Sequence, residues 1–138
     1  MPKFGKQSLD RLKTCHSDIQ KVMNEAIKHT DFSVLFGFRS KEEQFELYKK
    51  GRKLVDGKWI KVGATVTNLD GINNMSEHNY SPSRAIDIAP YPIDWNDIER
   101  FKQMAKVVLD SAKTVGVELE WGGSWKSFPD LPHFQVKG

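Results

Sequence analysis

A chain of 138 residues, 38% hydrophobic and 28% charged, is sized for one domain with a single core, residues 1–138, and leaves no room for a second. No apolar run approaches the roughly 20 residues of a membrane helix, and MPKFGKQSLDRLK lacks the apolar stretch of a secretory signal, so a monomer made in the cytoplasm without membrane association is expected. The net charge of +3 is spread along the chain without any reader motif, which argues against nucleic acid as a partner, and the lone Cys15 excludes an internal disulfide and a cysteine-rich metal site.

The first predicted element is a helix over residues 8–30, where Leu9, Leu12, Ile19, Val22, Met23, Ala26 and Ile27 recur at three- and four-residue steps behind Ser8 as N-cap. FSVLFGF reads as a buried strand. It stops at a helix capped by Ser40 and ended by Gly51, which puts Arg39 at a strand-to-helix junction. Residues 52–75 read as a long surface excursion with a small hairpin at KLVDGKWIKV, and so long a loop is a candidate wall for a site. RAIDIA predicts a short strand closed by Pro90 and Pro92. A helix follows, with Asp94 as its cap, a stripe at Ile98, Phe101, Met104, Ala105, Val108 and Ala112, and Gly116 as its stop. VELEWGG and PHFQVKG supply two late strands. Short interspersed helices and strands favour an α+β fold with a small, mainly antiparallel sheet and flanking helices.

Four histidines divide by context. His16 and His29 lie in the first helical stretch and read as side chains without a role. His78 and His133 each adjoin a short strand with carboxylates nearby, the arrangement a histidine–carboxylate zinc site needs. A catalytic zinc takes three protein ligands and keeps one position open, and His78, Asp87 and His133 can supply such a set. In AIDIA the alternation turns Asp87 away from Ile86 and Ile88, and a carboxylate among apolar neighbours is unfavourable unless paired or bound to a cation. An aspartate facing water from an edge strand has the same spacing. Asp130, three residues before His133 and set between Pro129 and Pro132, suits a base beside a metal-bound water; a plain turn aspartate in FPDLP is the other reading. Trp121, Trp125 and Phe128 are expected to pack the late strands rather than line a cleft. The oxygen-rich loop TNLDGINNMSEHN lacks the EF-hand spacing and reads as a plain polar loop.

SEH and AID together with PDLPHF resemble peptidase family M15, the zinc D-alanyl-D-alanine carboxypeptidases and L-alanyl-D-glutamate endopeptidases, and look most like its small phage endolysins. The resemblance runs from the first helix to the C-terminus and implies a Hedgehog/DD-peptidase-like fold. It implies one zinc ion on His78, Asp87 and His133, with Asp130 as catalytic base. Arg39 matches the arginine that holds substrate or stabilises the oxyanion, Ser76 matches the serine of the first motif, expected to bind the substrate or orient the site, and Gln44 fits a more structural place in the same pattern. Bacterial peptidoglycan is then the partner, cleaved between L-alanine and D-glutamate by attack of a zinc-bound water, after release from the host cytoplasm by a holin-type lesion. A D-alanyl-D-alanine carboxypeptidase and a non-catalytic, zinc-stabilised wall-binding module are the alternatives. The commoner family form has six residues between the first two ligands. Here eight, NYSPSRAI, intervene without a glycine, and this chain's own specificity is expected there.

Overall fold

In a computed structural model that describes residues 2–126 and 129–137, the first amphipathic stretch folds as two helices, α1 (Lys6–Leu12) and α2 (Ser17–Ala26). The expected single helix is broken because residues 14–16 find backbone partners elsewhere. Ser83 N–H donates to the Thr14 carbonyl and His16 N–H to the Ser83 carbonyl, each at 2.8 Å. His16 then caps α2, its Nδ1 accepting from Asp18 N–H at 3.0 Å. Ser8 is no cap either; it lies inside α1 behind Gly5, and its hydroxyl accepts from Val34 N–H at 3.0 Å.

Strand β1 (Phe32–Phe36) leads to α3 (Lys41–Lys49), which opens on a reciprocal capping box between Ser40 and Glu43. β2 (Arg52–Val55) and β3 (Lys58–Lys61) form the expected hairpin, closed at Asp56-Gly57. After the long loop come a 3-10 turn (Glu77–Asn79), β4 (Ala85–Pro90) and α4 (Ile98–Val115). The cap of α4 is Asp97, whose carboxylate accepts from Arg100 N–H; Asp94 closes a smaller turn on Asn96 N–H, three residues too early. Gly116 ends α4 at φ 76°, in the left-handed region where a side chain is strained. β5 (Leu119–Trp121) and β6 (His133–Val136) complete a four-stranded antiparallel sheet in the order β1-β4-β6-β5.

Helices α2 and α4 pack on each other and against the sheet. Ile19, Val22 and Met23 from α2, Phe101, Met104 and Val108 from α4, and Ile86, Ile88 and Phe134 from the central strands are all buried. Each contributes roughly 1.5–3 kcal/mol on leaving water. The same packing fixes the site, because the alternation that buries Ile86, Ile88 and Phe134 turns Asp87, His133 and Gln135 out of that layer. β4 runs between β1 and β6, so Asp87 sits on a central strand and the edge-strand reading fails. Asp87 stands directly opposite His133 in the ladder.

The eight-residue connection between His78 and Asp87 does not face the cleft that these residues line. It turns back onto the junction of α1 and α2, where Ser83 is fully buried and its hydroxyl donates to the Gly37 carbonyl at 3.2 Å. None of residues 79–86 lines that cleft, so the wall expected of NYSPSRAI is not formed there; the connection braces the backbone behind His78.

Candidate active site

The 3-10 turn delivers His78, β4 delivers Asp87 and β6 delivers His133. One nitrogen from each ring and one Asp87 oxygen all lie within 4.8 Å of one another. Ser76 shapes the turn: its hydroxyl accepts from His78 N–H at 3.2 Å, while its own N–H donates to Asn79 Oδ1 at 2.8 Å. His78 is buried, and its Nδ1 lies 2.8 Å from the Gly37 carbonyl. A carbonyl only accepts, so Nδ1 carries the proton and Nε2 presents a lone pair.

That lone pair has no hydrogen-bond donor. His78 Nε2 is buried and unsatisfied, 3.3 Å from Asp87 Oδ2, another acceptor. His133 Nδ1 faces Asp87 Oδ1 at 3.2 Å. The His78 lone pair, a His133 ring nitrogen and a carboxylate converge in one buried spot, where a cation would satisfy them together. Nitrogen and oxygen donors from three residues, with room left on the cleft side, match a catalytic transition-metal site. The donor set therefore fits a metal on an observation internal to this chain.

Electrostatics without the ion run the same way. Burial pushes the Asp87 carboxyl up, but the hydrogen bond and charge interaction with His133, joined by the nearby His78 ring, outweigh it and hold the group well below the usual carboxylate range. Burial works against protonation of His133, yet the Asp87 carboxylate prevails and raises its pKa. For the metal-free protein the signs are opposite. The raised His133 contributes stability that is full below about pH 6.5 and lost as pH rises through its folded pKa. The depressed Asp87 contributes stability present above about pH 4 and lost as pH falls. Chelator-treated protein is thus expected to melt highest between about pH 4 and 6.5. In Asp87→Asn the alkaline decline disappears with the carboxylate that causes it; thermal melts across pH check both.

Around the triad lies a cleft of about 520 Å³. Arg39 is buried on its wall, its Nη1 donating to Gln44 Oε1 at 2.9 Å, its Nη2 3.5 Å from Asp87 Oδ2, and its guanidinium over the Phe36 ring. Gln44 donates in turn to the Leu69 carbonyl at 2.8 Å and so ties the long loop to the arginine. Val66, Leu69 and Met75 of that loop do line the cleft, as its length suggested. The loop's Asp70 turns its carboxylate onto the backbone N–H groups of Ile72, Asn73 and Asn74.

Asp130 stands at the cleft's edge with its side chain 41% exposed and Oδ2 3.9 Å from His133 Nδ1. It lies beside the donor triangle and is no corner of it. Burial first, then repulsion from Asp87, raises its pKa. Its backbone is pinned by N–H donation to the Gly122 carbonyl at 2.9 Å. Trp121 packs on Phe134, as expected, but Trp125 lines the cleft with its ring 5.2 Å from His133; Phe128 lies outside the described residues. Sequence reasoning passed over Gly37, Glu120, Gly122 and Gln135. Of these only Gln135 carried a signal, two residues past His133 on the same strand face.

The family model of phage L-alanyl-D-glutamate peptidases matches residues 1–137. The chain is 28% identical over 140 residues to the L-alanyl-D-glutamate peptidase of Escherichia phage T5, covering 98% of this chain and 89% of that protein. It is 34% identical over 139 residues to the peptidoglycan L-alanyl-D-glutamate endopeptidase CwlK of Bacillus subtilis (strain 168), covering 95% and 70%. Among solved structures, the Serratia marcescens L-Ala D-Glu endopeptidase ChiX is similar with a TM-score of 0.74 at 26% identity, covering 98% of this chain and 90% of that one.

Proposed function

The chain belongs to the phage L-alanyl-D-glutamate peptidase family and is a peptidoglycan peptidase; from that premise we propose that it works as a zinc enzyme with His78, Asp87 and His133 as ligands, Asp130 as general base and Arg39 as the substrate-side cation. The observation that carries this reading is the buried, unsatisfied Nε2 of His78 facing a carboxylate oxygen at 3.3 Å.

The chemistry that a bound zinc supplies here is Lewis acidity, toward the scissile carbonyl and toward the attacking water. Asp130 takes the proton from that water and returns it to the leaving amine. Arg39, held by Gln44 and Asp87, offers its guanidinium to the oxyanion that forms on the L-alanine carbonyl. Ser76 orients His78 through its backbone N–H. The bond cleaved is the one between L-alanine and D-glutamate in the stem peptide. The protein acts as a monomer that reaches the wall from the host cytoplasm through a holin-type membrane lesion. No helix among the described residues is long and apolar enough to cross a membrane.

Purified peptidoglycan incubated with the zinc-loaded and the chelated protein, followed by mass spectrometry of the fragments, tests the reading. New D-glutamate amino termini that vanish on chelation are expected. Release of free D-alanine alone would point to a carboxypeptidase, and one zinc per chain with no cleavage would point to a wall-binding module. Gly122→Ala probes the positioning of the base. A Cβ at Gly122 would stand 2.4 Å from the Asp130 carbonyl oxygen and 3.1 Å from the Cβ atoms of Asp130 and His133, so the turn that carries both must shift. Turnover is expected to fall about 10²-fold, as for an ångström-scale misplacement of a reacting group, with the fold kept. Kinetics on a soluble muropeptide beside a thermal melt check it.

A further inference from the structure

His133 meets a partner on each ring nitrogen, and the second partner decides which one carries the proton. Nδ1 faces Asp87, while Nε2 lies 2.7 Å from Gln135 Oε1. An amide can offer either an acceptor or a donor, so Gln135 alone leaves the tautomer open. Glu120 closes it. Its Oε2 accepts from Trp125 Nε1 at 2.8 Å and faces Gln135 Nε2 at 3.5 Å. A carboxylate only accepts; it draws the Gln135 NH2 group and leaves Oε1 toward His133. That oxygen requires a proton on Nε2, so when a cation takes the place of the proton that Asp87 would otherwise accept from Nδ1, the ring presents its lone pair there.

The ladder builds this relay. His133 and Gln135 are two apart on one face of β6, and Glu120 is the direct partner of Gln135 across β5. We propose that Gln135, oriented by Glu120, is a positioning residue that fixes His133 as an Nδ1 donor for the metal. This rests on the reading of His78, Asp87 and His133 as a zinc site. Gln135 lines the cleft beside His133, and the effect assigned to it is the one that passes through the His133 ring.

The test measures zinc affinity by chelator competition, together with the His133 Nε2–H signal of the zinc-loaded protein, in wild type, Gln135→Met, Glu120→Gln and the double exchange Glu120→Gln/Gln135→Glu. Gln135→Met is nearly isosteric but cannot accept. Affinity is expected to fall about 10- to 100-fold, the usual effect of losing the outer partner of a metal-bound histidine, and the hydrogen-bonded Nε2–H signal should be lost to exchange. Glu120→Gln frees the Gln135 amide to turn over and should weaken zinc in the same direction. The double exchange restores an acceptor for Nε2–H at position 135 and an amide donor beside it at position 120. Most of the lost affinity and the Nε2–H signal should therefore return, a recovery that a packing role does not give. Unchanged affinity and signal in both single variants would overturn the proposal, and so would a double exchange no better than Gln135→Met. If Gln135→Met does not fold, Glu120→Gln and the double exchange decide alone. Wild type that binds no zinc overturns the metal site itself, an outcome distinct from a zinc-binding wild type indifferent to Gln135.

Discussion

Asp130→Asn is expected to bind zinc like wild type and to keep its fold, while cleavage of peptidoglycan falls by about 10²- to 10⁴-fold, the contribution of a positioned general base. The asparagine preserves size and the turn, whose anchor is a backbone bond to Gly122. What it removes is a carboxylate near the donor triangle yet outside it, 3.9 Å from His133 Nδ1 and open to the cleft. A second signature is the acid limb of the pH profile. A base must be deprotonated to act, so kcat/KM in wild type should decline as pH falls through the Asp130 pKa, and this limb should be missing from the residual activity of Asp130→Asn. Zinc lost in proportion to activity would make Asp130 a ligand and remove it as base.

How much of this was legible beforehand depends on the range of the interaction. Asp87 was conspicuous because strand alternation is local: Ile86 and Ile88 mark one face and the carboxylate must take the other. Whether that face was solvent or a metal pocket depended on β1 and β6 flanking β4, and strands about 50 residues away leave no trace in the local pattern. The break between α1 and α2 was hidden for the same reason. Apolar periodicity runs unbroken through residues 8–30, and only the backbone bonds of Thr14 and His16 to Ser83 end the first helix. Asp94 and Asp97 are both competent caps by type; the turn that Asp94 makes with Asn96 chooses between them. The connection between His78 and Asp87 was misplaced because length in sequence says nothing of direction in space. Buried Ser83 draws it behind Gly37 and away from the cleft. The relay from Glu120 through Gln135 to His133 needs the pairing of β5 with β6, and no spacing rule predicts that register.

Asp87→Ala should combine the loss of the metal with a loss of fold stability, and the two can be separated. Apparent zinc free energies of roughly 10–16 kcal/mol over four ligands make one ligand worth about 3 kcal/mol, so affinity should drop on the order of 10²-fold or more and hydrolysis should fall with it. His78→Ala should lose zinc to a similar degree. The second effect belongs to Asp87 alone. Its Oδ2 is 3.5 Å from Arg39 Nη2, and the two side chains are only 15% and 10% exposed. Removing the carboxylate strands a buried guanidinium, which burial already makes less favourable as a cation. Breaking such a pair from one side costs about 3 kcal/mol, far more than an exposed ion pair would. Denaturation of the chelated protein should show that loss in Asp87→Ala, and adding Arg39→Met should restore part of it, because the second change removes the stranded charge. Strictly additive losses in the double variant would mean that Arg39 finds its compensation in Gln44 and the Phe36 ring and does not depend on Asp87.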